Sequence, residues 1–305
     1  MPEKVVVMTD TSWPLGGAEA MALLSARVMA DAGIPVVFIA GDDASKCPLI
    51  DNKNIEIIAL GGAPLLDRAW AEAGLDGLHN ARAKKLIETF IAERDTPGTV
   101  YHLHNWSQIF SPSIFQALAP VSSRLFISAH DFAIACPNLS YSNYQNHGAI
   151  CTLKPLSMAC IGTHCDRRAY SHKRVTRSLA LRLNAGFART KALIGIIHPF
   201  MFEWYERGGI PKDRIRVVRN PVNPFREARV EAENNRDFFF IGRLVSEKGP
   251  DLAAEAARMA GVPIRIIGDG DLRETMQAQY PEAKFEGWRN HAQIGELLKD
   301  ARCVI

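Results

Sequence analysis

No stretch of the 305 residues is apolar for the roughly 20 positions that a bilayer-spanning helix needs. The amino terminus, MPEKVVVMTDTS, lacks the basic-then-apolar plan of a secretory signal and passes straight into a β-branched run. The cytosol is therefore the expected compartment, and the six cysteines are expected there as reduced thiols or metal ligands rather than disulfides. No G-x-G-x-x-G follows a candidate strand, which argues against a dinucleotide site and so against a nicotinamide-dependent oxidoreductase. No close C-x-x-C pair occurs, although Cys136, Cys151, Cys160 and Cys165 cluster, with His147 and His164 nearby. Zinc sites usually carry such close pairs, so a structural metal and thiols packed in a loop both stay open.

Acidic residues are missing from one stretch. Between Arg167 and Phe202 there is no Asp or Glu, whereas Arg167, Arg168, Lys173, Arg174, Arg177, Arg182, Arg189 and Lys191 all fall there. Such a patch attracts anionic partners, for example lipid head groups or phosphorylated acceptors. The other reading is a solvated helix face. What remains is ordinary: 47% hydrophobic, 23% charged and a net charge of +3, a mild excess that does not point to nucleic acid. The composition suits a globular chain, and the length favours two domains.

Lys4 to Thr9 reads as a buried parallel strand, and Ala18 to Ala32 as a helix closed by Gly33. Strands at Pro35 to Ala40 and Ile55 to Leu60 follow, and residues 61–77 open as a loop. A helix is expected over His79 to Glu93 and a strand over Thr99 to Leu103, running into His102, His104 and Asn105. Arg124 to Ser128 is another strand, ending at His130-Asp131. Phe132 to Cys165 breaks the rhythm and reads as a long loop. After Ala192 to Ile197, Pro199 to Arg207 and Arg214 to Val218, the polar segment Asn220 to Asn235 reads as a linker. The strand–helix alternation then restarts at Phe238 and is still running at Ile305, with a helix expected from Lys248 to Met259. This pattern implies two tandem, doubly wound α/β domains with parallel sheets, residues 1–222 and 223–305, the second incomplete. Ligands of such sheets bind beyond the carboxyl ends of the strands, so a cleft between the two domains is expected.

The motif with the most chemistry is IGRLVSEKG, Ile241 to Gly249. Gly242 lets backbone approach a ligand, Arg243 offers a planar fork for phosphate oxygens, and Lys248 adds a point charge at an expected helix start. A helix N-terminus supplies free N–H groups and a dipole that favours an anion. The set suits a diphosphate. Gly16-Gly17, ahead of the first helix, could serve an anion in the same way or be an ordinary tight turn. His102, His104 and Asn105 at one strand end, with His130-Asp131 at the next, suit a hydroxyl-rich ligand.

In order, GRLVSEKG, IRIIGDGDL and FEGW resemble the donor half of the retaining glycosyltransferase family 4, a group of two-Rossmann-domain (GT-B) enzymes. Gly16-Gly17-Ala18-Glu19, the H-x-H segment, His130-Asp131 and Asn220-Pro221-Val222 resemble the family's first half, so the likeness covers nearly the whole chain. It implies transfer from a UDP- or GDP-sugar to a hydroxyl, without a catalytic metal or other cofactor. By the same likeness, Gly16, Gly17, Arg243, Lys248, Gly268, Asp269, Gly270 and Trp288 serve the donor, and Glu286 to Trp288 lie beside the base. His130 would be the catalytic residue with Asp131 orienting it, and His102, His104 and Asn105 would lie on the acceptor side. The expected partners are the nucleotide sugar, a glycan or lipid-linked acceptor and an anionic membrane surface touched peripherally, but not nucleic acid. The family's two Glu residues seven apart would come after the strand that starts near Arg302, and the sequence stops at Ile305. The expectation is thus a fragment with little or no transfer activity of its own. A non-catalytic binding module and a sugar-nucleotide epimerase are the alternatives.

Overall fold

The computed structural model describes residues 1–167, 191–221 and 224–305, with the side chains of Trp70 and Ala71 left aside. Of the basic stretch, Arg168, Lys173, Arg174, Arg177, Arg182 and Arg189 lie outside the described residues, as does Val222. The chain divides into two compact units, Met1–Pro221 and Val222–Ile305.

The first unit is built on strands β1 (Lys4–Thr9), β2 (Val36–Ala40), β3 (Ile55–Ala59), β4 (Thr99–Leu103), β5 (Leu125–Ala129), β8 (Leu193–Ile196) and β9 (Ile215–Val217). They form one parallel sheet in the order β3-β2-β1-β4-β5-β8-β9. Successive strand residues point to opposite faces, which explains the unbroken apolar run of β1. Val6 and Met8 join Ile87 and Phe90 of α3 (Ala81–Arg94) on one side. Val5 and Val7 meet Ala22, Leu23 and Ala26 of α1 (Gly17–Asp31) on the other. Each fully buried Val contributes roughly 1.5–3 kcal/mol relative to exposure. Past α1, Gly33 takes a φ of 81°, and Ile34 N–H bonds to Met29 O at 3.0 Å, a left-handed close that favours glycine.

Residues 70–78, within the segment whose start reads as a loop, carry a short helix, α2 (Trp70–Leu78); Gly74 and Gly77 inside it weaken the helical signal. The long segment after β5 holds a small antiparallel hairpin, β6 (Ser142–Asn143) with β7 (Ala149–Ile150), and the short helix α5 (Met158–Gly162). The chain also forms α4 (Ile114–Leu118) before β5 and α6 (Met201–Arg207) after β8.

The second unit has a parallel sheet in the order β12-β11-β10-β13, made of β10 (Asp237–Ile241), β11 (Ile264–Ile267), β12 (Lys284–Gly287) and β13 (Ala301–Val304). Its helices are α7 (Pro250–Ala260), α8 (Arg273–Gln279) and α9 (His291–Leu297). Ala253, Ala254 and Ala257 of α7 pack with Phe240, Ile264 and Ile266. The helix expected from Lys248 begins instead at Pro250. Lys248 closes a single 3-10 turn, Gly249 takes a φ of 63°, and Pro250 opens the helix, where its missing N–H costs nothing.

In the first unit the order of strands reverses between β1 and β4, and Asp10 sits at that point. Its buried carboxylate accepts N–H groups from Gln108 (2.7 Å), Ile109 (3.0 Å) and Phe110 (2.8 Å). Its own N–H donates to Asn105 O at 3.0 Å. Asp10→Ala would leave two buried donors and one half-buried donor without an acceptor and is expected to destabilise the first unit by about 2 kcal/mol or more. Urea unfolding followed by fluorescence checks this, and an unchanged midpoint would count against the assignment.

Candidate functional site

At the carboxyl ends of β4 and β5 a small pocket is lined by His104, Asn105, Ser128, His130, Asp131 and Tyr205. Parallel register explains the gathering. His102 pairs with Phe126 and Leu103 with Ile127, so the residues just past both strands come out side by side. His102 Nε2 lies 2.8 Å from Ser128 Oγ, and His104 Nδ1 lies 3.0 Å from His130 Nε2. The rings of His102 and His104 are 4.1 Å apart. Asn105 Nδ2 donates to Glu19 Oε1 at 2.5 Å, linking the pocket to the first turn of α1.

Burial governs the charge here. It pushes the His102 imidazole down to about 4, assisted by His130. It holds His104 well below the usual histidine range, reinforced by His102 and His130. It also lowers His130, against which Glu19 works in the opposite sense. The three rings are therefore neutral near neutral pH, and the pocket presents hydrogen-bonding groups rather than a positive charge. Burial raises Asp10 to about 6, although three backbone N–H groups favour its ionised form.

The structure brings together His102, His104, Asn105 and His130, as read from the sequence. Asp131 is placed differently. The described ring contact of His130 is with His104, while Asp131 Oδ1 accepts Ala133 N–H at 2.7 Å and Asp131 O accepts from the Tyr205 hydroxyl. Asp131 sits in the turn that follows β5, so its carboxylate serves the backbone there. Asp10, Ser128 and Tyr205 were missed by sequence reasoning, and Glu19 was read only as part of the Gly16-Gly17-Ala18-Glu19 loop. An Asp directly after a buried strand was a signal that could have found the first; the others come from distant elements. Gly16 is extended and Gly17 begins α1, and no side chain caps the helix. A Cβ on Gly17 would meet nothing within 4 Å, so the backbone of this unit does not itself require glycine there.

Cys136, Cys160 and Cys165 are buried, Cys151 is half-buried, and none is in a disulfide. Burial raises the Cys136 thiol to about 11, far from the thiolate that binds metals. Among the described residues no group of three or more His, Cys, Asp or Glu side chains is placed to hold a metal ion. The segment is fastened by other groups. Asn138 Nδ2 donates to Cys165 O at 2.7 Å, and Arg207 donates to the carbonyls of Cys151 and Leu153 while lying over the Tyr141 and Trp204 rings.

In the second unit the loop after β10 is stitched to the turn after β11. Gly242 N–H donates to Ile267 O (3.0 Å), Leu244 N–H to Asp269 O (2.9 Å) and Leu272 N–H to Leu244 O (3.0 Å). Leu244 is fully buried and plugs the loop into the core. This packing explains two glycines. Gly268 has a φ of 142° and a Cβ there would lie 1.9 Å from Gly242 O; at Gly270 it would lie 2.6 Å from Leu244 O. Asp269 is engaged by Gly270 N–H and by Arg273 at 2.8 Å. Glu286, read as lying beside the base, is held by Arg265 at 2.6 Å and Lys284 at 3.1 Å. Arg243 and Lys248 remain exposed, and among the described residues neither is in an ion pair. Trp288 is 70% exposed.

No protein-family model matches the sequence, and no curated protein matches it. Solved structures do. WaaG, a glycosyltransferase involved in lipopolysaccharide biosynthesis, matches with a TM-score of 0.60 at 13% identity over 98% of this chain and 74% of its own. The lipopolysaccharide outer core galactosyltransferase WaaB, in its apo form, gives 0.57 at 14%, over 99% and 73%. HepE from Anabaena, solved in complex with UDP and glucose, gives 0.57 at 15%, over 99% and 73%. At these identities the likeness is one of fold: this chain carries two Rossmann-like α/β units of the GT-B kind.

The buried imidazoles set a pH dependence. His102 titrates at 6.5 when unfolded and about 4 when folded, so its contribution to stability is full above 6.5 and is lost as pH falls toward 4. Asp10 runs the other way, its contribution fading as pH rises from 3.8 through about 6. His102→Gln is therefore expected to flatten the fall in melting temperature between pH 6.5 and 4. Melting curves that keep the same slope in the variant would contradict the burial argument.

Proposed function

We propose that this chain is a retaining glycosyltransferase of family 4 that moves a sugar from a UDP- or GDP-sugar to a hydroxyl of a glycan or lipid-linked acceptor. The observation that carries the reading is the pair of exposed cations, Arg243 and Lys248, on a loop fixed at the carboxyl end of β10. In the small sheet β10 lies between β11 and β13, a point where strand order reverses and ligands of such sheets bind. A diphosphate fits two cations that have no acidic partner among the described residues better than a neutral ligand does. The complex of HepE with UDP-glucose supports a nucleotide-sugar donor.

In the proposed reaction the bond from the sugar C1 to the diphosphate oxygen breaks and its electron pair leaves with the phosphate. The acceptor oxygen bonds to C1 on the same face, and its proton passes to the leaving phosphate oxygen. Arg243 and Lys248 stabilise the charge that builds on the diphosphate, which is why no catalytic metal is needed. Gly16, Gly17 and the uncapped start of α1 offer backbone N–H groups to donor or acceptor oxygens. Asn105, Ser128 and His130 offer hydrogen bonds to sugar hydroxyls. The basic stretch of 167–202 supports peripheral contact with anionic lipid, at a cytosolic face; among the described residues no helix is long and apolar enough to cross a membrane.

Arg243→Ala and Lys248→Ala are each expected to lower kcat/KM for the sugar nucleotide by about 100-fold with circular dichroism unchanged. Turnover is expected to be indifferent to EDTA. Binding of the nucleotide without release of UDP or GDP, across donors and acceptors, would favour a non-catalytic module instead. Gly17→Ala gives a separate check, because the site has room for a methyl group. It is expected to leave the melting temperature unchanged while raising KM; an unchanged KM would remove the α1 amides from the binding site.

A further inference from the structure

The pocket of the first unit holds one polar atom that the fold does not satisfy. His104 is 3% exposed, and its Nε2 is buried without a hydrogen-bond partner among the described residues. Its other nitrogen, Nδ1, faces His130 Nε2 at 3.0 Å. A neutral pair of imidazoles shares a single proton across such a contact. If that proton belongs to His130, then His104 must carry its own on Nε2, where a buried donor has nothing to receive it. If it belongs to His104 Nδ1, only a lone pair is left in the unsatisfied position. For backbone groups, orphaned buried N–H donors are the rarer defect of the two, and the same preference is applied here. Charging His104 would supply both donors, but it would bury a cation with the His102 ring packed against it at 4.1 Å.

We propose that His104 is a positioning residue that donates from Nδ1 to His130 Nε2 and so leaves the His130 proton on Nδ1. That nitrogen has no hydrogen-bond partner among the described residues, and the His130 ring lines the pocket. His130 then meets a ligand as a donor to an oxygen and not as a base, which suits a sugar hydroxyl or ring oxygen. The groups around it agree with a neutral donor. His102 and His104 come from β4, Glu19 comes from α1 through Asn105, Asp131 follows in the chain, and Tyr205 of α6 holds the Asp131 carbonyl. The tautomer stands on geometry alone, and only its use on a sugar rests on the transferase reading.

The test is the long-range proton–nitrogen correlation spectrum of the chain labelled with 15N-histidine, taken near about pH 8 where an unperturbed imidazole is neutral. The expected result is a His130 signal of the Nδ1–H form in the parent protein. It shifts to the Nε2–H form in His104→Leu and returns to Nδ1–H in His104→Asn, whose amide replaces the lost donor. An Nε2–H signal in the parent protein overturns the proposal, and so does an Nδ1–H signal that persists in His104→Leu. Should His104→Leu fail to fold, the parent spectrum and His104→Asn decide the matter. Binding of UDP and GDP is measured on the same samples. Absence of both with the Nδ1–H form present counts against the transferase reading alone, and nucleotide binding with the Nε2–H form sinks this proposal alone.

Discussion

The arrangement of the first unit depends on one buried carboxylate. Asp10 leaves β1 where the sheet changes direction and collects three N–H groups from the loop that follows β4. Without it that loop would bury unsatisfied donors, and the crevice between the two strand ends would lose three of the hydrogen bonds that shape it. Asn105, His104 and, through Asn105, Glu19 take their positions from the same tie. A parallel sheet supplies the place for a ligand at its reversal point; this side chain makes the place rigid.

The two candidate surfaces are built by different physics. In the first, burial keeps three histidines neutral, so the groups on offer there are hydrogen-bonding ones with fixed direction. In the second, backbone packing does the shaping and exposed side chains carry the charge. Gly268 and Gly270 let the turn lie flat on Gly242 and Leu244, which holds Arg243 at the end of β10. Asp269 and Glu286 spend their charge on Arg273 and Arg265, which leaves Arg243 and Lys248 as the cations of this loop. Under the proposed function these two surfaces would take a hydroxyl-rich sugar and a diphosphate, respectively.

Much of this was legible in the sequence because the relevant signals are local. KVVVMT, VVFIA and DFFFI read as doubly buried strands, and their alternation with helices dictates parallel sheets. The strand-end histidines and the Arg–Lys loop could be placed from the same rhythm. Local signals also misled. Lys248 was read as the start of a helix although Gly249-Pro250 marks the boundary two residues later. Glycines 268 and 270 are placed on the donor side by resemblance; neighbouring backbone also requires glycine at both positions. The pairing of His130 with His104 rather than Asp131 depends on the register of two strands separated by an intervening helix, and nothing in either segment encodes it alone.

The central claim is that Arg243 and Lys248 form a diphosphate-binding surface. Isothermal titration calorimetry of this chain with UDP and with GDP measures that surface without requiring turnover. The account predicts saturable binding of at least one of the two nucleotides, lost when Arg243 and Lys248 are both replaced by alanine. Equal binding by the parent and the double variant, or heat from neither nucleotide, would contradict it.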